Sequence, residues 1–414
     1  MPTTPPEHVV PQRAAFAPWH KVRKQFIRQR QWNWLILKLA KRYLKAHLQE
    51  ERADWSVAED DTDAEDSQEV PESVQLERPL RFLVIPGDDL LDVRSLCNEA
   101  NSLSFFIRYL GFNDGHGSDE LRTRLHIANN QVTSFARVAK DSLVLHDRFQ
   151  EIAKPNSQAH GYLKRYGPFH VVNLDLCDSL FPTITGHLED YFSALHRLIE
   201  YQMANQTTPW LLFITTEVAP REVDPVLLTR FCKPTRDNCD MHSQFAAELS
   251  RLLPAALLPL ESPVIDATNL TEEEMAQLFG IALSKTLLGF AKTASPQWKV
   301  EMLTSHKYTV NQELHVSMLS LAYQFRPITS PPLDPTGISA AELVLPSPFD
   351  ELGFALKMIS AVERISDVDS LLIADPALRD EILNSSADLL ASAGYDRQRY
   401  VAWVNEGEGN VQGA

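Results

Sequence analysis

Cysteine is scarce. The 414-residue chain carries four, at Cys97, Cys177, Cys232 and Cys239, too few and too scattered for a disulfide framework. A reducing compartment, the cytoplasm, is therefore the expectation. Long apolar runs are lacking as well. Trp210–Ile214 and Leu252–Leu260 are the longest, far short of the roughly 20 residues a bilayer span needs, so no membrane is expected. The opening residues MPTTPPEHVV hold no basic start followed by an apolar core, and no secretory signal is expected. There is no internal repeat, no phosphate-binding loop, no nucleophile elbow and no metalloprotease helix. Positive charge is in deficit: 39 Lys and Arg face 55 Asp and Glu, a net charge of −16 and a pI near 5.3. That argues against a surface that binds nucleic acid everywhere. What is left, 44% hydrophobic and 23% charged residues, is ordinary for a soluble globular chain of two or three domains.

The charge is segregated. Residues 1–49 hold ten cations and one acid, net +9; residues 50–78 hold twelve acids and two arginines, net −10; the remainder is −15. Blocks of this kind mark tails and linkers. The first 18 residues are Pro-rich and read as irregular. In PWHKVRKQFIRQRQWNWLILKLAKRYLKAHLQ, Trp32, Leu35, Ile36, Leu39, Tyr43 and Ala46 recur at helical spacing, which predicts an amphipathic helix over about 29–48. Three readings stand for it: a helix docked on the body with a solvated basic face, a contact for phosphates or an acidic partner, or a helix lying on a membrane surface. His20, Lys21, Arg23, Lys24, Arg28 and Arg30 are the candidate nucleic-acid or partner contacts, because cations beside aromatic rings bind phosphates and stack on bases. Residues 50–78 are too polar and acidic to bury a core and read as a disordered linker.

From residue 79 the pattern changes to alternating strands and helices. RFLVI at 81–85 stops at Pro86-Gly87; FFIRYL at 105–110 runs into Gly111-Phe112-Asn113-Asp114; short strands follow at 143–145 and 171–176, and WLLFIT at 210–215. Between them lie helical stretches at 90–100, about 119–139 and 187–205, with further helices at 241–253 and 271–292. Residues 299–310 and 315–325 read as an antiparallel hairpin. Strand–helix alternation with continuously apolar strands predicts a mostly parallel Rossmann-like sheet covered on both faces. After the Pro-rich break at 327–335 the chain reads as helical, with Asp375-Pro376 opening one helix and Gly394 closing it. The expected organisation is a basic arm at 1–49, an acidic linker at 50–78, an α/β domain at 79–328 and a helical extension at 329–414.

Within VVNLDLCDS, Asn173 and Asp175 lie two apart and point to one side of the strand, with Asp178 beyond them. Carboxylates at the end of a buried strand are costly unless paired or open to a pocket. They therefore either contact a ligand or order the following loop. Cys232, Cys239 and His242 are spaced too widely for a structural zinc site and read as free thiols on a loop, so no metal is expected. His306 and His315 flank the hairpin and read as sheet or surface histidines.

Five strand–helix units closed by an antiparallel hairpin resemble the class I S-adenosylmethionine-dependent methyltransferase fold, over roughly 80–327. The resemblance implies a cofactor across the carboxyl ends of the first strands. Pro86-Gly87-Asp88-Asp89 stands at the family's glycine-rich turn, with one glycine. Asn113 and Asp114 stand where an acid closes the second strand, and Asp147 in HDRFQEI where an acid meets the adenine. GPFHVVNLDLCDSL is similar to the family's fourth motif. The resemblance thus implies Gly87, Asp88, Asn113, Asp114 and Asp147 as cofactor contacts, and Asn173, Asp175 and Asp178 beside the reacting centre. Two functions follow: methyl transfer from S-adenosylmethionine to a nucleic acid or protein, or a decayed scaffold acting as an interaction subunit of a larger assembly. The incomplete glycine turn and the missing second-strand acid favour the second.

Overall fold

The computed structural model describes residues 16–17, 20–44, 79–103, 105–180, 190–220, 223–254, 265, 270–311, 316–328 and 349–409. The acidic run expected as a linker and residues 329–335 of the Pro-rich break lie outside these residues.

The strands are β1 (Leu80–Val84), β2 (Ile107–Phe112), β3 (Leu143–Leu145), β4 (Val171–Ser179) and β5 (Trp210–Glu217), followed by β6 (Trp298–Met302), β7 (His306–Asn311), β8 (Val316–Pro327) and the short β9 (Ser366–Asp367). Their order is β3-β2-β1-β4-β5-β8-β7-β9, with β6 also paired to β8. The first five strands are parallel; β8 runs antiparallel to β5, β6 and β7. This is the α/β architecture the alternation predicts: a mostly parallel Rossmann-like sheet ending in an antiparallel part. The strand order turns back between β1 and β4, and in such sheets the crevice at the carboxyl ends of those two strands is where ligands bind.

One expected strand is broken. Residues 299–310 form β6 and β7 with a gap at 303–305. There Leu303 donates to the Ala322 carbonyl, the Ser305 hydroxyl accepts from the Ala322 amide, and the Thr304 carbonyl turns out of the ladder.

Both faces of the sheet are covered. Leu83, Val172, Leu174, Leu212 and Ile214 point to one core with α4 (Gln158–Tyr166), α5 (Asp190–Asn205), α6 (Pro225–Phe231), α7 (Lys233–Met241), α8 (Ser243–Leu252), α9 (Glu272–Thr293) and α10 (Glu351–Glu363). Phe82, Val84, Tyr109, Leu211 and Phe213 point to the other core, as the two-residue side-chain period requires. That second core is shared by α2 (Leu91–Leu103), α3 (Asp119–Thr133), α11 (Val368–Ala374), α12 (Pro376–Ser392), α13 (Arg397–Gly409) and the N-terminal helix. The N-terminal helix, α1, is continuous over 22–44 and alternates α and π turns: Val22–Phe26, then Ile27–Asn33 as π, Trp34–Leu39 as α, and Ala40–Leu44 as π.

The local signals are those the sequence carries. Thr271 and Glu274 close a reciprocal capping box on α9. The Asp375 side chain caps α12 with Pro376 at its first position, and Gly394 follows at φ 92°. The helices α4, α6 and α7 were not anticipated. For α6 a signal existed in Asp224-Pro225, a cap followed by a helix-starting proline. For α7 the buried positions are Thr235 and Asn238, so apolar periodicity is missing.

Candidate functional site at the carboxyl edge of the sheet

The crevice between β1 and β4 is built from the loop Ile85–Leu90, the end of β4 and the first turn of α2. The loop folds on itself, with the Leu90 amide donating to the Gly87 carbonyl. Leu90 has φ 51° and is fully buried. A left-handed leucine is strained; here the anchoring of its side chain in the core offsets the strain. The conformation that a glycine-rich turn would supply thus falls on Leu90, whereas a side chain at Gly87 would meet open space.

A helix docked on the body is one of the readings the sequence allows, with its basic face solvated and away from the cofactor strands; the structure docks α1 but places it over this crevice. The stripe residues Trp32, Leu35, Ile36 and Leu39 are buried, together with Val22, Phe26 and Ile27. The cations are buried too. The Lys24 ammonium pairs with the Asp175 carboxylate, lies 3.3 Å from the Tyr308 hydroxyl and sits 4.7 Å over the Trp32 ring. Arg28 donates to Asp92 in the first turn of α2 at 2.7 Å. Asn33 donates to the Ser95 hydroxyl at 2.9 Å. The Gln31 amide donates to the Thr304 and Ser320 carbonyls at 3.0 and 2.9 Å, and its oxygen accepts from the Ser320 hydroxyl at 2.7 Å. Gln31 therefore fills the gap between β6 and β7.

Two carboxylates, Asp175 and Asp92, and two cations, Lys24 and Arg28, share this space, and their balance follows from their neighbours. Burial alone would lower the Lys24 pKa, but Asp175, Tyr308 and Asp92 more than offset it, and the ammonium is held charged. Burial raises the Asp175 carboxyl above its ordinary range, opposed by Lys24. The ionised Lys24–Asp175 pair is the state the geometry favours, because a buried ammonium without a carboxylate partner would be far costlier.

The remaining candidates divide between the interior and a polar rim. Asn173 is buried at 1% exposure, and among the described residues its side-chain oxygen has no hydrogen-bond partner. The backbone of Asp178 lies in β4; its side chain is outside the described residues. Asp88, Asn113, Asp114 and Asp147 are part-exposed at the carboxyl ends of β1, β2 and β3. Asn113 donates to the Pro86 carbonyl at 2.8 Å, and its side-chain oxygen accepts from the Gly115 amide at 2.8 Å. One Asp147 carboxylate oxygen accepts from the Arg148 amide at 2.8 Å. These polar groups order the loops that carry them. Asp89, next to Asp88, accepts from the Tyr395 hydroxyl at 2.7 Å and lies 3.8 Å from His20.

The six candidate partner contacts separate in the same way. His20, Lys24 and Arg28 are buried, at 3%, 5% and 4% exposure. Lys21 donates to the Val310 carbonyl, Arg23 pairs with Asp369, and Arg30 pairs with Glu381 on the outer surface. The inward cations thus serve the fold, because the helix face that carries them is also the apolar face. Cys232 and Cys239 lie at the end of α6 and within α7 rather than on a loop, and both are free.

The PP_RS20740-like family matches residues 13–405. The chain belongs to the PP_RS20740-like family. No curated protein matches it. The family match takes in both α1 and most of α13, so this PP_RS20740-like protein carries the helix over the crevice as part of the family unit. Sequence reasoning missed Gln31, Asp92, Tyr308 and Tyr395 as site residues. Their partners lie 64 to 306 positions away, and no local pattern encodes such distances.

Among the described residues no helix is long and apolar enough to cross a membrane.

Proposed function

We infer that this PP_RS20740-like protein is a Rossmann-like scaffold working as an interaction subunit, with its ancestral ligand crevice closed by its own N-terminal helix. The observation that carries the reading is the Lys24–Asp175 pair. A carboxylate at the end of β4, neutralised and covered by a lysine of the same chain, is poorly placed to serve a reacting centre. The Arg28–Asp92 pair and the Gln31 bridge support the same reading. Asn113 and Asp147, the positions a cofactor would need, are engaged with backbone: Asn113 with Pro86 in the loop after β1 and with Gly115 in its own loop, Asp147 with Arg148. Free thiols buried at Cys97 and Cys232 accord with a reducing compartment, the cytoplasm; burial pushes both up to about 12, which keeps them protonated and inert.

A second reading, S-adenosylmethionine-dependent methyl transfer, draws on the part-exposed rim of Asp88, Asn113, Asp114 and Asp147. Titration calorimetry with S-adenosylmethionine and with its demethylated product separates the two. The scaffold reading expects no saturable heat with either compound. A stoichiometric isotherm at micromolar concentration overturns it in favour of the transferase.

A further inference from the structure

With its inner face committed to the crevice, α1 presents an outer face of a different kind. Arg30, Trp34, Lys38, Lys41 and Arg42 are all exposed along it. Trp34 is 49% exposed, an unusual position for the largest side chain, and the Lys38 ammonium sits 5.4 Å over its ring. Arg30 holds Glu381 at the near end of the row. From Arg30 to Arg42 the row runs 12 residue steps, or roughly 18 Å at the α-helical rise.

We propose that this face binds single-stranded nucleic acid, with Trp34 as the stacking ring and Lys38 and Lys41 as phosphate contacts. The inference rests on the reading of the chain as an interaction module and names that module's partner. Three observations choose this occupant. A ring open to solvent and flanked by ammonium groups is the arrangement on which bases stack while their phosphates are neutralised. A protein partner or a lipid surface would need more apolar area than this. Trp34 is the one exposed large hydrophobic side chain among the described residues of α1, and the apolar face that a membrane-surface helix would use is buried against the sheet. The acidic remainder of the chain repels a polyanion elsewhere, which confines binding to this face. Of the six contacts the sequence suggests, His20, Lys21, Arg23, Lys24, Arg28 and Arg30, only Arg30 is exposed on this face, which lies within the stretch 19–45 where a partner is expected.

The test is fluorescence anisotropy of the full-length protein with a labelled 15-nucleotide single strand at 50 mM and 200 mM salt. The expected result is saturable binding that weakens steeply with salt. Trp34→Ala should weaken it about tenfold, in line with the loss of one stacked base. Lys38→Glu with Lys41→Glu should weaken it further and flatten the salt dependence by a slope of roughly 1 to 1.5. Because all three side chains are exposed, thermal melts of the variants should superimpose on the parent, so lost binding is not lost folding. The proposal is overturned by no binding at 50 mM salt. It is equally overturned if polyglutamate competes as well as the oligonucleotide and Trp34→Ala has no effect, which would identify an acidic polypeptide partner. Preferential binding to anionic vesicles overturns it as well. Calorimetry with the cofactor is independent of these outcomes. Oligonucleotide binding with cofactor heat retains the surface and removes the scaffold reading; neither signal removes the surface and leaves the scaffold.

Discussion

Lys24 shows how one residue type can carry two opposite meanings. In the sequence it is one of ten cations near the N-terminus; in the structure it is 5% exposed and bound to Asp175. Breaking a buried pair from one side leaves an uncompensated charge and costs about 3–5 kcal/mol, whereas replacing both partners with apolar groups of similar volume is near neutral. Lys24→Ala should therefore lower the urea midpoint sharply, and the double variant Lys24→Met with Asp175→Leu should recover most of the loss. Equal midpoints for Lys24→Ala and the parent would mean that the pair does not hold α1 in place.

His306 makes a second prediction at this scale. Its ring meets Phe26 edge-on at 5.3 Å, and its Nδ1 lies 2.7 Å from the Ser366 hydroxyl. Burial pushes its pKa down to about 4. The folded value lies below the unfolded value near 6.5, so folding is favoured fully above pH 6.5 and progressively less as pH falls toward 4. The total loss is roughly 3 kcal/mol. Urea midpoints at pH 7 and pH 4.5 should differ for the parent and differ much less for His306→Phe. An unchanged pH dependence in that variant would assign the acid sensitivity to other groups. The sequence showed neither role: a lysine reads as solvated and a histidine as sheet or surface until the partner is brought across 151 or 60 residues.

At the scale of the element, the strands were the most legible, because continuous apolar runs bounded by Pro-Gly or Gly-rich turns have few other uses. Leu143–Leu145 falls where the pattern placed it, and β1, β2, β4 and β5 within a few residues. The helix α1 was legible as an amphipathic stripe, but its start and winding were not. Lys24, Arg28, Trp32, Ile36 and Ala40 recur every four residues and are all buried. In a pure α-helix a four-residue step overshoots one turn by about 40°, so such a row would spiral off the contact face. The π turns at Ile27–Asn33 and Ala40–Leu44 are wider and drift the other way, which keeps this row inside and the row Arg30, Trp34, Lys38 and Arg42 outside. Tertiary packing, not propensity, selects those turns. The break between β6 and β7 has the same kind of origin: an amide from α1 replaces a rung of the ladder.

At the scale of the molecule, residues 16–20 and 395–403, far apart in sequence, meet on one face of the sheet. The Tyr400 hydroxyl donates to the His20 carbonyl at 2.6 Å, and Phe16 packs among Tyr395, Tyr400 and Trp403 at ring separations of 5.3–5.6 Å. The described part of the expected arm, residues 20–44 with Phe16, is therefore joined to the body through a shared core. A specific protease site engineered into residues 50–78 tests this. After cleavage the N-terminal fragment should co-elute with the remainder on gel filtration and separate only in denaturant. Separation in native buffer would show that α1 is an appendage. The sequence by itself determined the class of fold, the strands and the amphipathic N-terminal helix, since each follows from local apolar periodicity. Only the tertiary structure decided which of the cations face solvent and what Asp175 contacts. Those answers depend on pairings across the whole chain, where burial converts a surface charge into a structural bond.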